Sequence, residues 1–242
     1  MKRSVLSIML FIAGIAVVTS VSSCMLNCVH GSGHPSTETR AVTEEFTKLD
    51  VSGAFKVILK QDSSKNISIT ADDNLLQYVK TKVEDGTLRV FTHKNLCNAS
   101  QMTITIGVRN LEAIKASGAT ELSADGKLVT KDLAFHLSGA TKIDLDLDAA
   151  NVTTEGSGIT EMQLTGQASS HHIDISGVAK IHAFDFVVGD YNVSTSGASH
   201  CELNVLHSLH VSSSGASEIK YKGNPTDVDN DKSGASSVEK VD

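Results

Sequence analysis

The hexapeptide "SGATEL" at residues 117–122 returns as "SGATKI" at 138–143 and as "SGASEI" at 214–219. A Ser-Gly pair keeps recurring, with its glycine at Gly118, Gly139, Gly158, Gly177, Gly197, Gly215 and Gly234, in steps of 21, 19, 19, 20, 18 and 19 residues. A period of this size marks a repeat architecture in which each unit packs on its neighbours. The register says more than the motif. Four residues after each glycine stand Leu122, Ile143, Met162, Ile181, Cys201, Ile219 and Val238, all apolar. The residue before each is polar: Glu121, Lys142, Glu161, Lys180, His200, Glu218 and Ser237. The one before that is small or hydroxylated: Thr120, Thr141, Thr160, Ala179, Ser199, Ser217 and Ser236. Such alternation is a strand with one face buried. Gly53 obeys the same register, with Lys56 outward and Val57 and Leu59 inward.

About twenty residues make one coil of a parallel β-helix, three short strands joined by bends. A bend needs positive φ, which glycine reaches without steric penalty. The serine hydroxyl is expected to bond backbone there, and the alanine to keep the interior narrow. Coils stack about 4.8 Å apart, so Gly118 to Gly234 spans roughly 29 Å. Parallel crossovers favour the right hand. The expected fold is therefore all-β, a single-stranded, right-handed parallel β-helix (a β-solenoid), regular over 114–242.

The section 44–113 reads as irregular N-terminal coils of the same domain, or a small sheet covering one end. It holds strands at "NISIT" (66–70), "TLRVF" (87–91) and "MTITI" (102–106). "VEDGTL" at 83–88 signals a hairpin through its Asp-Gly turn. "DDNLLQYVKTKV" at 72–83 suits a short helix or a strand after a turn.

The start of the chain has another purpose. Lys2 and Arg3 precede an apolar run from Val5 to Val18, and "VSSC" closes it at Cys24. A basic start, a short apolar stretch and small residues before a cut are the marks of an export signal, here 1–23. "VSSC" resembles the bacterial lipobox, which makes Cys24 the lipid-attachment residue. Several acyl chains on one cysteine hold a protein durably to a bilayer. Residues 24–43 read as a flexible tether, with order beginning near Phe46. The expected location is the bacterial cell envelope, as an outer-membrane lipoprotein on either its periplasmic or its surface face. After removal of the signal, 19 Lys and Arg face 28 Asp and Glu, a net of −9. Such an acidic chain has no electrostatic pull toward nucleic acid. Cys28 and Cys97 can pair outside the cytoplasm, and Cys201 sits on an apolar column as a small core residue.

"FTKLDVSGAFKVILKQ" at 46–61, "ITADDNLLQYVKTKVEDGTL" at 69–88 and the serial SGA turns resemble the head GIN domain proteins of bacteria, also labelled auto-transporter adhesins. The resemblance covers roughly residues 44–240. It implies an exported, often lipid-anchored, β-helical protein and supplies no catalytic or binding residues.

Chemistry is sparse. A polysaccharide lyase or glycoside hydrolase on this fold needs facing carboxylates. Asp144, Asp146 and Asp148 share one strand face, but the positions matching Asp144 in the next two coils are Gln163 and His182, and those matching Asp146 are Thr165 and Phe184. Beyond the signal the only arginines are Arg40, Arg89 and Arg109, all outside the repeat. Residues 227–239 imitate an EF-hand start through Asp227, Asp229 and Asp231. Lys232 and Val238 stand where Gly and Glu are required, so the stretch reads as a polar turn. His182 and His200 fall on adjacent coils, and with His171 and His172 they leave a metal- or small-ligand-binding alternative, although no ligand spacing enforces it; solvent-facing strand histidines are the simpler reading. No Trp is present and Tyr78, Tyr191 and Tyr221 share no column, which weighs against aromatic sugar stacking. The column Glu121, Lys142, Glu161, Lys180 alternates sign and reads as a surface ladder fixing register. The sequence thus favours a non-catalytic, lipid-anchored adhesin or scaffold, with no cofactor or metal, presenting a weak binding surface to an envelope glycan or protein.

Overall fold

A computed structural model of the chain describes residues 28–62, 64 and 66–241. The export segment 1–23 and the attachment residue Cys24 lie outside the described residues. The protein is all-β; among the described residues the one exception is a 3-10 turn at Leu76–Tyr78. Its largest element, β10 (Leu128–Gly215), is 88 residues of continuous extended backbone. Unbent, it would reach about 290 Å, so it has to fold back on itself.

Pairing shows how. β9 (Ala113–Ala124) lies parallel to the start of β10, with Gly139 over Gly118, Lys142 over Glu121 and Ile143 over Leu122. β3 (Lys48–Gln61) lies parallel to β9 on the other side, Gly53 against Gly118. At the far end β11 (Glu218–Gly223) and β12 (Asp227–Lys232) pair in parallel with β10, and β13 (Ser237–Lys240) with β11. Within β10 the corners continue the stack. A methyl added to Gly158, Gly177, Gly197 or Gly215 would run into the carbonyl oxygen of the corner glycine one rung earlier. All eight corner glycines have positive φ, from 75° to 140°.

The interior is filled column by column. Leu122, Ile143, Met162, Ile181, Cys201 and Ile219 are buried, and Thr120, Thr141, Thr160, Ala179, Ser199 and Ser217 are buried beside them. At the Gly118 bend two hydroxyls bond backbone: Ser117 Oγ, as expected, donates to Val51 O at 3.4 Å, and Thr120 Oγ1 donates to Ser117 O at 3.2 Å and Gly53 O at 3.3 Å. The alanines do not narrow the core. Ala119, Ala140, Ala198 and Ala216 stand exposed on the outer ridge, in one column with Ile159 and Val178, which are 59% and 45% exposed. The positive-φ glycine carries the following residue outward, so the inward position is the threonine one step later.

The N-terminal section closes one end. The two halves of β3 pair with β6 (Thr87–Thr92) and β8 (Thr103–Val108) in parallel. Beyond them the direction changes. β5 (Val79–Glu84) pairs antiparallel with β6 across the Asp85-Gly86 turn, and β4 (Asn66–Asp72) antiparallel with β8. Residues 72–83 are therefore a turn followed by a strand. Order begins well before Phe46. β2 (Pro35–Ala41) pairs antiparallel with β4, and β1 (Val29–His30) pairs with β7 (Leu96–Cys97). Cys28 and Cys97 form a disulfide across 69 residues of chain. Much of the stretch expected to be a tether is thus part of the cap. β2 reads as polar because it is the last strand of the sheet; its Pro35, Glu38 and Arg40 blunt a free edge.

At the opposite end the stretch 227–232, expected to be a turn, is strand β12, fully exposed. Val228, Asn230 and Lys232 lie under the inward positions Leu209, Val211 and Ser213, so the apolar interior stops there.

Candidate binding surface

Two outward columns on one wall, three and five residues after the corner glycines, carry ion pairs between successive rungs. In the first, Lys56 Nζ lies 3.9 Å from Glu121 Oε1, and Lys142 Nζ lies 2.9 Å from Glu161 Oε1. A hydrogen bond and charge from Lys142 hold the Glu161 carboxyl below the ordinary range, and Glu161 raises Lys142 in return. These groups are exposed, so each pair adds little to stability on its own. Changing Lys142 and Lys180 together to Glu should place like charges on successive rungs. The expected result is a melting temperature a few degrees lower at low salt, with the difference shrinking in about 0.5 M salt. An equal loss at both salt concentrations would mean that charge does not act in register.

In the second column His182 Nδ1 lies 2.8 Å from Glu202 Oε2. His200, in the first column, joins the two: its Nδ1 lies 2.9 Å from Glu218 Oε2 in its own column, and its Nε2 lies 3.5 Å from Glu202 Oε1 in the second. The two imidazole rings are 6.2 Å apart. The rungs do bring these histidines together, but each faces a carboxylate partner. Among the described residues no group of three or more His, Cys, Asp or Glu side chains is arranged to hold a metal ion.

His171 does not face solvent. It stands in the inward column Leu133, Val152, His171, Tyr191, Leu209 and is 1% exposed. Its Nε2 is hydrogen-bonded to Thr154 Oγ1 at 2.9 Å, and its ring packs against Tyr191 and Phe186. Its Nδ1 and the Tyr191 hydroxyl have no partner among the described residues. Burial pushes the imidazole down to about 3. The folded chain keeps it neutral, whereas the unfolded chain takes up a proton near 6.5. Stability from this group is complete above that value and is lost as pH falls from it toward 3. Between pH 7.5 and pH 5 the loss should be about 2 kcal/mol. The double variant His171→Leu, Thr154→Val should remove this part of the slope, and urea melts at the two pH values would show it. A slope identical to the parent's would exclude His171 as its source.

Cys201 is likewise interior; burial pushes its thiol up to about 12, so it is chemically inert.

A groove lies along the glycine corners. Three residues before each glycine come Lys115, His136, Glu155, Asp174, Ser194, Ser212 and Asp231; one residue before come Ser117, Ser138, Ser157, Ser176, Ser196, Ser214 and Ser233. The first part is an open cavity of about 400 Å³ lined by Lys115, His136, Ser138, Glu155, Ser157, Asp174 and Ser176. The same two columns line a second part of about 210 Å³ with Ser194, Ser196, Ser212, Ser214 and Asp231. His136 Nδ1 lies 3.0 Å from Glu155 Oε2. Asp144, Asp146 and Asp148 are elsewhere. Asp146 pairs with Lys127 at 3.5 Å, and Asp148 accepts from Gln167 at 3.1 Å.

Parallel rungs, a capped end and polar walls with one hydroxyl-lined groove define an all-β repeat protein. The chain belongs to the head GIN domain family, whose family model, described as "Putative auto-transporter adhesin, head GIN domain", matches residues 45–225. Among solved structures, a "putative adhesin" of Bacteroides fragilis is similar at 24% identity, over 88% of this chain and 100% of its own, with a TM-score of 0.83. A "putative adhesin" of Parabacteroides merdae is similar at 22% identity, over 89% and 100%, with a TM-score of 0.66. A "putative lipid binding protein" of Parabacteroides distasonis is similar at 18% identity, over 88% and 99%, with a TM-score of 0.70. Likenesses at such identities speak for the fold alone. A comparison with curated proteins gives no match.

Proposed function

We propose that this chain is a non-catalytic, lipid-anchored adhesin of the cell envelope, built as one right-handed parallel β-helix and anchored through Cys24. Its groove takes an extended polar polymer of the envelope, such as a glycan strand. The observation that carries this reading is the pair of columns along the glycine corners. They repeat hydroxyls and charges at the rung spacing, about 4.8 Å, which suits a ligand that repeats rather than a compact one. Without aromatic platforms each contact is weak, so binding comes from several rungs at once. Envelope glycans immobilised at low density should capture the mature lipoprotein saturably. Ser157→Tyr, which fills the middle of the groove, should weaken capture at least tenfold, while Lys220→Tyr, outside the groove and past the glycine corner, should not. Equal capture by both variants would remove the groove from the proposal.

A carbohydrate-active enzyme is the second reading, because Glu155 and Asp174 stand at matching positions of successive rungs beside His136. A glycosidase needs one carboxyl shielded from water to stay protonated, and the Glu155 side chain is 58% exposed. Chain cleavage of the captured glycan, abolished in Glu155→Gln, would move the protein into that class.

A further inference from the structure

We propose that the capped end of the stack docks on the phospholipid surface that receives the Cys24 acyl chains, so that the groove rises away from the bilayer. The inference rests on the lipid-anchor reading above and adds an orientation to it. Cys28 is covalently joined to Cys97 in the cap. The segment after it is stitched down. Gly31 N donates to Cys97 O at 3.1 Å, Asn74 Nδ2 donates to His30 O at 2.8 Å, and Ser32 Oγ donates to Asp73 Oδ1 at 2.5 Å. Between Cys24 and Cys28 stand only three residues, Met25, Leu26 and Asn27. Even fully extended, that chain reaches about 14 Å. β1 and β7 form a separate pair, which the bonds to Asp73 and Asn74 tie to the end of β4; β4 and β2 end the strand order opposite β13. The eight rung steps from the β6/β8 level to the Gly234 level put the last rung roughly 38 Å further along.

Charge supports the same orientation. Residues 28–110 carry ten Lys and Arg against nine Asp and Glu, whereas residues 111–242 carry nine against nineteen. The near-neutral cap tolerates contact with anionic headgroups, and the acidic rungs are repelled by them, which disfavours the stack lying flat. Lys80, on the free-edge strand β5, and Lys94, in the loop leading into β7, are both exposed and available to phosphates.

The test is lysine footprinting of the full lipidated protein in phosphatidylethanolamine–phosphatidylglycerol vesicles, against unlipidated Cys24→Ala. The mass of the N-terminal peptide is read first. Absence of acyl mass on Cys24 would defeat the anchor reading itself, and the orientation with it. With the acyl mass present, Lys80 and Lys94 should react about fivefold more slowly on vesicles, with Lys232 and Lys240 unchanged. Equal reactivity at the two ends, or protection centred on Lys142 and Lys180, would overturn the orientation and leave the anchor standing. A twenty-residue Gly-Ser insert between Asn27 and Cys28 should restore Lys80 and Lys94 to their unlipidated rates. Persistent protection with the insert in place would overturn the short reach as its cause.

Discussion

Gly139→Ala should destabilise the protein by about 3–5 kcal/mol, whereas Gly126→Ala should cost only about 1 kcal/mol. Both positions have positive φ, +87° at Gly139 and +96° at Gly126, so backbone strain alone treats them alike. They differ in what lies next to them. A methyl on Gly139 would stand 2.5 Å from the carbonyl oxygen of Gly118 and 3.0 Å from its nitrogen, while a methyl on Gly126 would meet nothing within 4 Å. The obstacle at Gly139 is backbone, which cannot rotate aside. Relief requires separating two rungs, and the hydrogen bonds and buried columns on either side resist that. For a chain of this length the expected drop in melting temperature is about 10 °C for Gly139→Ala and a few degrees for Gly126→Ala. Equal shifts would show that glycine is needed only for φ, and that rungs do not meet closely at the corner.

The same contact explains what could be read beforehand. A corner where backbone touches backbone admits only glycine, so the residue recurs at each rung and its step exposes the period. The buried column four residues further on is legible because apolar and polar residues alternate from that fixed point. Phase was harder to read across the corner itself. Alternation predicts which side a residue takes only while φ stays in the extended region, and the positive-φ glycine resets it; hence the alanines look inward on paper and stand outward in the structure. His171 had a usable signal, since its column six residues before the glycines is otherwise Leu133, Val152, Tyr191 and Leu209. The groove residues Lys115, His136, Glu155 and Asp174 keep an equally regular step. That they border a hollow depends on how sharply the rung bends, which no residue pattern encodes. β2 was unreadable for a different reason: a polar edge strand buries neither face and shows no alternation.

Reduction of the Cys28–Cys97 disulfide should lower stability by about 4 kcal/mol, the loop-closure value for a crosslink spanning 69 residues. The effect should begin at the capped end. Strands β4 and β8 bury Ile67, Ile69, Ile104 and Ile106, and these side chains complete the apolar interior where the parallel rungs stop. β1 is two residues long and pairs only with β7, so neither holds without the bond. Buried Asp72 depends on the same region. Ser100 N donates to its Oδ2 at 3.0 Å, and that bond heads the causes holding the carboxyl below the ordinary range. This contribution is present at neutral pH and fades as pH falls below the usual carboxylate range, so reduction and acid should weaken the cap together. In Cys28→Ser, Cys97→Ser, amide exchange should quicken first in β1, β2 and β4, while the rungs from Gly139 to Gly215 keep their protection until the whole stack melts, because each rung is held by its neighbours rather than by the cap. A melting temperature unchanged by reduction would mean that strand pairing alone closes this end. Exchange that quickens uniformly along the stack would mean instead that cap and rungs unfold as one unit, and that the end strands are part of the fold's nucleus rather than its lid.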